Sequence, residues 1–226
     1  MASQTPKFHL HTYFRSSCSG RLRIALALKQ IPYTTTVTNL LKDEQLSSTY
    51  AAINPSASVP VLTRLDTDTS FSIGQSIAAL EYLEEAFPGV HPLLPAPERA
   101  LERAQVRTLV NIVACDIQPI TNRRIILAVQ QLGKDPAEWC RHFIERGFAA
   151  YEATLEKTAG QFSVGDEITL ADVCLVPAVW AVERFSVDLG KFPRLKGVFE
   201  EMSGTEAVRK AHWRRQEDTP EEFKES

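Results

Sequence analysis

The run Arg15-Ser16-Ser17-Cys18-Ser19-Gly20-Arg21 gathers serine hydroxyls and a thiol between two guanidinium groups. Ahead of it, Phe8, Leu10 and Thr12 alternate with His9, His11 and Tyr13, the period of a half-buried strand over residues 8–14. Behind it, Leu22, Ile24, Ala25, Leu26 and Leu28 recur at helical spacing over residues 21–30. The polar residues between the two elements therefore lie over the first turn of a helix, where unpaired amides and the positive end of the helix dipole point outward. Such a place stabilises an anion: the thiolate of Cys18, or the sulfur of a bound thiol toward which a serine donates a hydrogen bond. The plainer chemistry is structural, since a serine ahead of a helix is a favoured N-cap and a lone cysteine packs as a small apolar side chain. The local pattern leaves both readings open.

A chain of 226 residues can form one large domain or two smaller ones, and its patterning favours two. Its 25 basic and 28 acidic residues are interspersed, for a net charge of -3, which argues against a nucleic-acid partner. Cys18, Cys115, Cys140 and Cys174 lie far apart with no C-x-x-C pair, the signature of neither a zinc framework, a dithiol motif nor a disulfide scaffold. His9, His11, His91, His142 and His212 form no ligand set beyond the strand pair His9 and His11, which is expected to face solvent; no metal is expected. Residues 1–7 lack the apolar core of a secretory signal, and the longest apolar run, residues 173–182, includes Pro177 and reads as a core helix. No membrane partner is expected, and the expected setting is soluble, reducing and cytoplasmic.

The elements that must position the motif divide near residue 90. Strand 8–14, helix 21–30 and strand 33–39 form a strand-helix-strand unit whose short loops favour a parallel pair. A short helical piece over 43–50 ends at Asn54-Pro55-Ser56; residues 59–65 and 70–73 then read as a hairpin turning at 66–69, followed by a helix over 76–87. Residues 88–97 carry four prolines and read as a linker. Beyond it, Leu109, Ile112, Val113, Ile117 and Ile120 fall at helical spacing, as do Phe143, Ile144, Phe148, Tyr151 and Leu155, and the pattern stays helical to the end. Pro119 and Pro177 are expected to kink or divide their helices. In Ile168-Thr169-Leu170-Ala171-Asp172-Val173, Thr169 can cap a helix, Asp172 can reach back to it and Ile168 can staple against Val173. This is read as a stability device.

The order of these elements, with Val59-Pro60 before the hairpin and a wholly helical second half, resembles the cytosolic glutathione transferases. The stretch from Tyr13 to Lys29, together with Asn54-Pro55, Val59-Pro60-Val61-Leu62, Gln75-Ser76, Glu81-Tyr82-Leu83-Glu84-Glu85 and the run from Val164 to Pro177, resembles the zeta class of that family, the maleylacetoacetate isomerases. The resemblance implies an α/β plus all-α fold: a thioredoxin-like glutathione-binding domain over residues 1–88, a linker over 89–97, and an all-helical domain over 98–226 that contributes the substrate site.

It also implies site residues. Ser16, Ser17 and Cys18 would be catalytic and would bind glutathione, Ser16 being the first candidate to hold the sulfur ionised and Cys18 a neighbour lining the site. Val59 would pair with the glutathione main chain, given a cis bond to Pro60. Gln75 and Ser76 would start a helix against the γ-glutamyl carboxylate, where an ordinary serine cap is the alternative. Gln45 would touch the glycyl end, and Gln118 and Asn122 would approach from the helical domain. Arg15 and Arg184 would anchor substrate carboxylates; otherwise Arg184 pairs with Asp188 on the surface. Arg123 and Arg124 depart from the class pattern and would form an extra anion site or face water.

The implied reaction is isomerisation of maleylacetoacetate to fumarylacetoacetate in tyrosine and phenylalanine catabolism. Glutathione would add to the cis double bond through its thiolate and leave after rotation, and so be recycled. Maleylacetone would serve as a simpler substrate, dehalogenation of small α-haloacids would be a secondary activity, and the protein would be a homodimer. The rival readings are a glutathione thiol transferase acting through Cys18 and a non-catalytic glutathione-transferase-like interaction module.

Overall fold

The computed structural model describes residues 5–65 and 71–225. The chain forms two compact units, one of Met1–Pro92 together with Glu206–Ser226, the other of Leu93–Thr205.

In the first unit β1 (Phe8–Thr12) lies inside a four-stranded sheet of order β2-β1-β3-β4. It runs parallel to β2 (Tyr33–Val37), with Phe8 opposite Tyr33, and antiparallel to β3 (Val61–Arg64), with Leu10 opposite Leu62. The short β4 (Ser72–Ile73) pairs antiparallel with β3, and the turn expected at residues 66–69 lies outside the described residues. The alternation of β1 sends Phe8 and Leu10 into a core shared with Leu22, Ile24 and Leu26 of α1 (Ser17–Leu28) and Leu80 and Leu83 of α3 (Ser76–Ala86). His9 and His11 take the opposite face, His9 bridging Thr34 and Thr36 of β2 at 2.8 and 3.0 Å.

Around the serine motif the element boundaries differ from the sequence pattern. β1 stops at Thr12, and α1 begins at Ser17 rather than residue 21. The extended Ser16 accepts the Ser19 amide on its hydroxyl at 3.1 Å, so the helix starts one residue later despite the low helix propensity of its serines and Gly20. Over 43–50 the left-handed Asp43 (φ 55°) separates two single-turn 3₁₀ helices, Leu40–Lys42 and Glu44–Leu46. The α-helical piece, α2 (Ser48–Ile53), starts where Ser47 accepts the Tyr50 amide at 3.2 Å.

Lys29, just past α1, is wholly buried. Its ammonium meets Glu84 of α3 at 2.6 Å and donates to the carbonyls of Phe87, Val90 and His91, tying the end of the first run of this unit to its helices.

The second unit contains α4 (Ala100–Asn111), α5 (Arg123–Gln131), α6 (Pro136–Thr158), α7 (Leu170–Trp180) and α8 (Pro193–Ser203). Pro119 divides its helix as expected. α4 loosens into a π turn at Ile112–Ile117, where Gln118 N–H reaches back to Val113 O at 3.0 Å, and α5 begins only at Arg123. Pro177 does not divide its helix. α7 runs unbroken through it because every residue from Leu170 to Trp180 is buried, and packing on all sides outweighs one missing amide bond. The expected cap is present: Thr169 Oγ1 accepts the Ala171 amide at 3.3 Å, and Asp172 accepts from the Thr169 amide and hydroxyl and the Ser163 amide at 2.8–2.9 Å. Burial pushes the Asp172 carboxyl up, and the hydrogen bonds from Ser163 and Thr169 pull it back.

The C-terminal segment departs from the expected domain limits, for residues 206–226 join the first unit instead of closing the helical domain. α9 (Glu206–Ala211) packs on α1 through Val208 and Ala211, and the buried Arg23 of α1 donates to Ala211 O at 3.1 Å.

Candidate active site

The start of α1 carries Ser16 as cap and Ser17 and Cys18 in the first turn, all half-buried, with the Cys18 thiol unbridged. The structural role and the anion-binding role of Ser16 are compatible. Its oxygen accepts the Ser19 amide, which consumes a lone pair and leaves the hydroxyl proton to be donated outward. Ser17 and Cys18 share the positive end of the same helix.

Ser76 repeats this arrangement on α3. The cap is Gln75, exposed and without a side-chain cap bond, so Ser76 is the first helical residue and not the cap. Arg21 of α1, 1% exposed, donates from Nη1 to Ser76 Oγ at 3.1 Å, so this serine too accepts from within and keeps its own proton for an outside acceptor. Nε and Nη2 of Arg21 have no hydrogen-bond partner among the described residues, so a positive charge stands behind the first turn of α3 with donors to spare.

Gln45 is buried in the Glu44–Leu46 turn; its Nε2 donates to Asp43 at 3.3 Å while its amide oxygen has no partner among the described residues. The Val59–Pro60 peptide is cis, just before β3, and both residues are buried. The loop into it is braced by Tyr50 and Asn54, which donate to Ser58 O at 2.8 and 2.7 Å. Asn54 also lies against Gly74, where a Cβ would come within 2.7 Å of its Oδ1, so glycine is required next to Gln75.

In the second unit Gln118 follows the π turn, and Asn122 caps α5 by accepting the Arg124 amide at 3.1 Å. Arg123 and Arg124 open that helix, Arg124 exposed. Arg184 lies exposed in the 3₁₀ turn Val182–Phe185, its guanidinium 5.1 Å from the centre of the Phe185 ring. Asp188, its alternative surface partner, spends Oδ1 on the Gly190 amide at 2.8 Å.

Arg15 is half-buried, and its guanidinium lies 5.2 Å from the Trp213 ring and 5.0 Å from the Phe223 ring, in cation–π contact with the C-terminal segment. Arg21, Arg23, Asn54 and Asp218 were not singled out from sequence as site residues. The signal that was present is the Arg21-Leu22-Arg23 spacing, which places two cations on an otherwise apolar buried helix. Among the described residues no group of three or more His, Cys, Asp or Glu could hold a metal ion, and no helix is long and apolar enough to cross a membrane.

A thiol tripeptide with two carboxylates fits these residues: hydroxyl donors over two helix starts, a buried guanidinium behind one of them, and an unmatched amide oxygen for a ligand N–H. The family model for the glutathione S-transferase N-terminal domain matches residues 15–86, and that for the C-terminal domain matches residues 130–206. The chain is 56% identical to maleylacetoacetate isomerase of Emericella nidulans, over 95% of each chain. Among solved structures it is similar to a bacterial zeta-class glutathione S-transferase, a maleyl pyruvate isomerase, with 41% identity, 94% and 100% coverage and a TM-score of 0.86. It is also similar to maleylacetoacetate isomerase from Anaeromyxobacter dehalogenans with glutathione bound in the active site, with 37% identity, 96% and 100% coverage and a TM-score of 0.86. Fold and site thus define a glutathione-using enzyme with a thioredoxin-like part and an all-helical part. The chain belongs to the glutathione S-transferase family, in its zeta class.

Proposed function

We propose that the chain is a maleylacetoacetate isomerase, converting maleylacetoacetate to fumarylacetoacetate with glutathione in tyrosine and phenylalanine breakdown. The observation that carries this reading is the Ser16 hydroxyl, pinned as an acceptor by Ser19 and left with a proton to donate at the start of α1. When bound, glutathione supplies the sulfur nucleophile whose addition and departure let the double bond rotate while it is single. Ser16 donates to that sulfur, Ser17 stands next in line, and the amides of the first turn add their field. Ser76, backed by Arg21, donates to the γ-glutamyl carboxylate, Val59 offers its main chain, and Gln45 and Gln75 flank the peptide. Gln118 and Asn122 contribute from the helical part. Arg184 anchors a substrate carboxylate, a task for which its planar fork is suited.

A homodimer in the cytoplasm, and dehalogenation of small α-haloacids as a side activity of the same thiolate, complete the proposal. The test is maleylacetone isomerisation with and without glutathione, for the wild type and for Ser16→Ala. Activity that requires glutathione and falls in Ser16→Ala is expected; full wild-type activity without glutathione overturns the reading. Cys18→Ala should retain isomerisation, whereas its loss together with loss of thiol transfer would make Cys18 the working sulfur.

A further inference from the structure

The loop that delivers Ser16 to α1 is held by the far end of the chain. Phe14 N–H donates to Asp218 Oδ2 at 2.8 Å across 204 residues of sequence. Arg23 takes the other side of the same loop, donating to Thr12 Oγ1 at 3.1 Å, Tyr13 O at 3.4 Å and Phe14 O at 3.1 Å, while its Nε holds Ala211 O at 3.1 Å. Arg15 closes the arrangement between Trp213 and Phe223, and the Phe14 ring lies 6.1 Å from that of Trp213. The segment is itself braced: Thr219 donates to Trp213 O, and Glu225 pairs with Arg215 at 2.6 Å. Burial draws the Arg23 guanidinium down to about 10, offset in part by Tyr33 and Asp218, so Asp218 also supports the charge of the residue clamping the opposite face.

We propose that Asp218, on the segment that carries it, is a positioning residue: by accepting the Phe14 amide it fixes the loop that sets the Ser16 hydroxyl over the start of α1. Phe14 is two residues from Ser16, and Ser16 N–H itself leans on Tyr13 O at 3.0 Å, so a shift of the loop passes directly to the cap. The catalytic part of the inference rests on the function proposed for Ser16; the structural part does not.

The experiment pairs hydrogen exchange on the glutathione-free protein with kinetics, for the wild type, Asp218→Ala, Asp218→Asn and Phe223→Leu. In Asp218→Ala, exchange across residues 13–19 should quicken at least about tenfold while α3 and the global melt stay near wild type, as expected of local opening. On the maleylacetone assay kcat should fall about ten- to a hundredfold, the scale of an ångström-sized misplacement at a reacting centre, with the KM for glutathione changing less. Asp218→Asn keeps an oxygen acceptor and should restore both readouts. Phe223→Leu should loosen residues 13–19 to a smaller extent. Unchanged exchange at 13–19 in Asp218→Ala, or an Asn variant as impaired as the Ala variant, overturns the proposal. If Asp218→Ala does not fold, Phe223→Leu decides, and unchanged exchange there overturns it as well. A wild type that isomerises without glutathione overturns the function of Ser16 but leaves the exchange contrast standing, so the two failures are distinct.

Discussion

Ser16→Ala separates two roles that one hydroxyl performs. The substitution removes the acceptor that holds the Ser19 amide at 3.1 Å but leaves the backbone bond from Gly20 N–H to Ser16 O at 2.9 Å, so α1 loses its cap and not its first turn. Loss of such a cap costs about 0.5–2 kcal/mol. For a chain of this size that corresponds to a fall in melting temperature of about 1–8 °C. The same substitution removes the donor to the sulfur, a hydrogen bond to a charged group worth about 1.5–3 kcal/mol. If that bond strengthens as the thiolate reacts, the loss in turnover is roughly 10- to 150-fold. Ser16→Asp tells the two apart. Aspartate caps as well as serine and suits the helix dipole, so its melting temperature should match or exceed the wild type. It carries no proton to donate and sets a negative charge against the thiolate, so its turnover should fall below that of Ser16→Ala. Thermal melts and maleylacetone kinetics on the three proteins supply both orders. Activity that simply follows melting temperature, with Ser16→Asp restoring both, would refute the catalytic role and leave Ser16 as a cap.

Lys29→Met removes the ammonium that meets the buried Glu84 carboxylate and three carbonyl oxygens, and should cost about 3–5 kcal/mol in urea unfolding. Lys29→Met/Glu84→Leu should recover much of that loss, and a double variant no better than the single would contradict the pairing. Thr169→Ala removes the α7 cap and one donor to Asp172, for an expected loss of about 1–2 kcal/mol; an unchanged melt would show that the cap carries no weight. Burial, and then His9, lower the His11 pKa below 6.5, so the unfolded chain holds that proton more tightly. The stability this contributes is complete above pH 6.5 and is lost as the pH falls through the lowered value, so acidification should destabilise the wild type more than His11→Gln in paired unfolding curves, and parallel curves would exclude His11. Gly147→Ala drives a methyl into the Ile117 side chain and should cost about 1–3 kcal/mol, whereas a neutral result would mean Ile117 moves aside freely.

Much of the first unit was legible because its signals are local. The alternation of Phe8, Leu10 and Thr12 is a property of successive residues, and so are the apolar spacing of α1 and α3 and the reach of Asp172 to Thr169. Pattern alone misplaced the start of α1 by four residues, because Ser17 to Gly20 have weak helix propensity and the Ser16 cap decides the boundary. Of the two outcomes expected at Pro177, a kink or a division, the helix is not divided: the local penalty is real, but α7 is buried all round and tertiary packing outweighs it.

By itself the sequence determined which chemistry the motif can perform: hydroxyls and a thiol over a helix start, in a chain whose order of elements resembles the glutathione transferases. Only the tertiary structure decided how those groups are held. It showed that Ser16 and Ser76 each accept from within the protein and keep a proton to donate, that Arg21 stands buried behind Ser76, and that Arg15 lies against the C-terminal rings. The physical reason is separation along the chain. A cap or an amphipathic face is written within a few neighbouring residues, whereas the bond from Phe14 to Asp218 spans 204 positions and exists only once α9 has packed on α1.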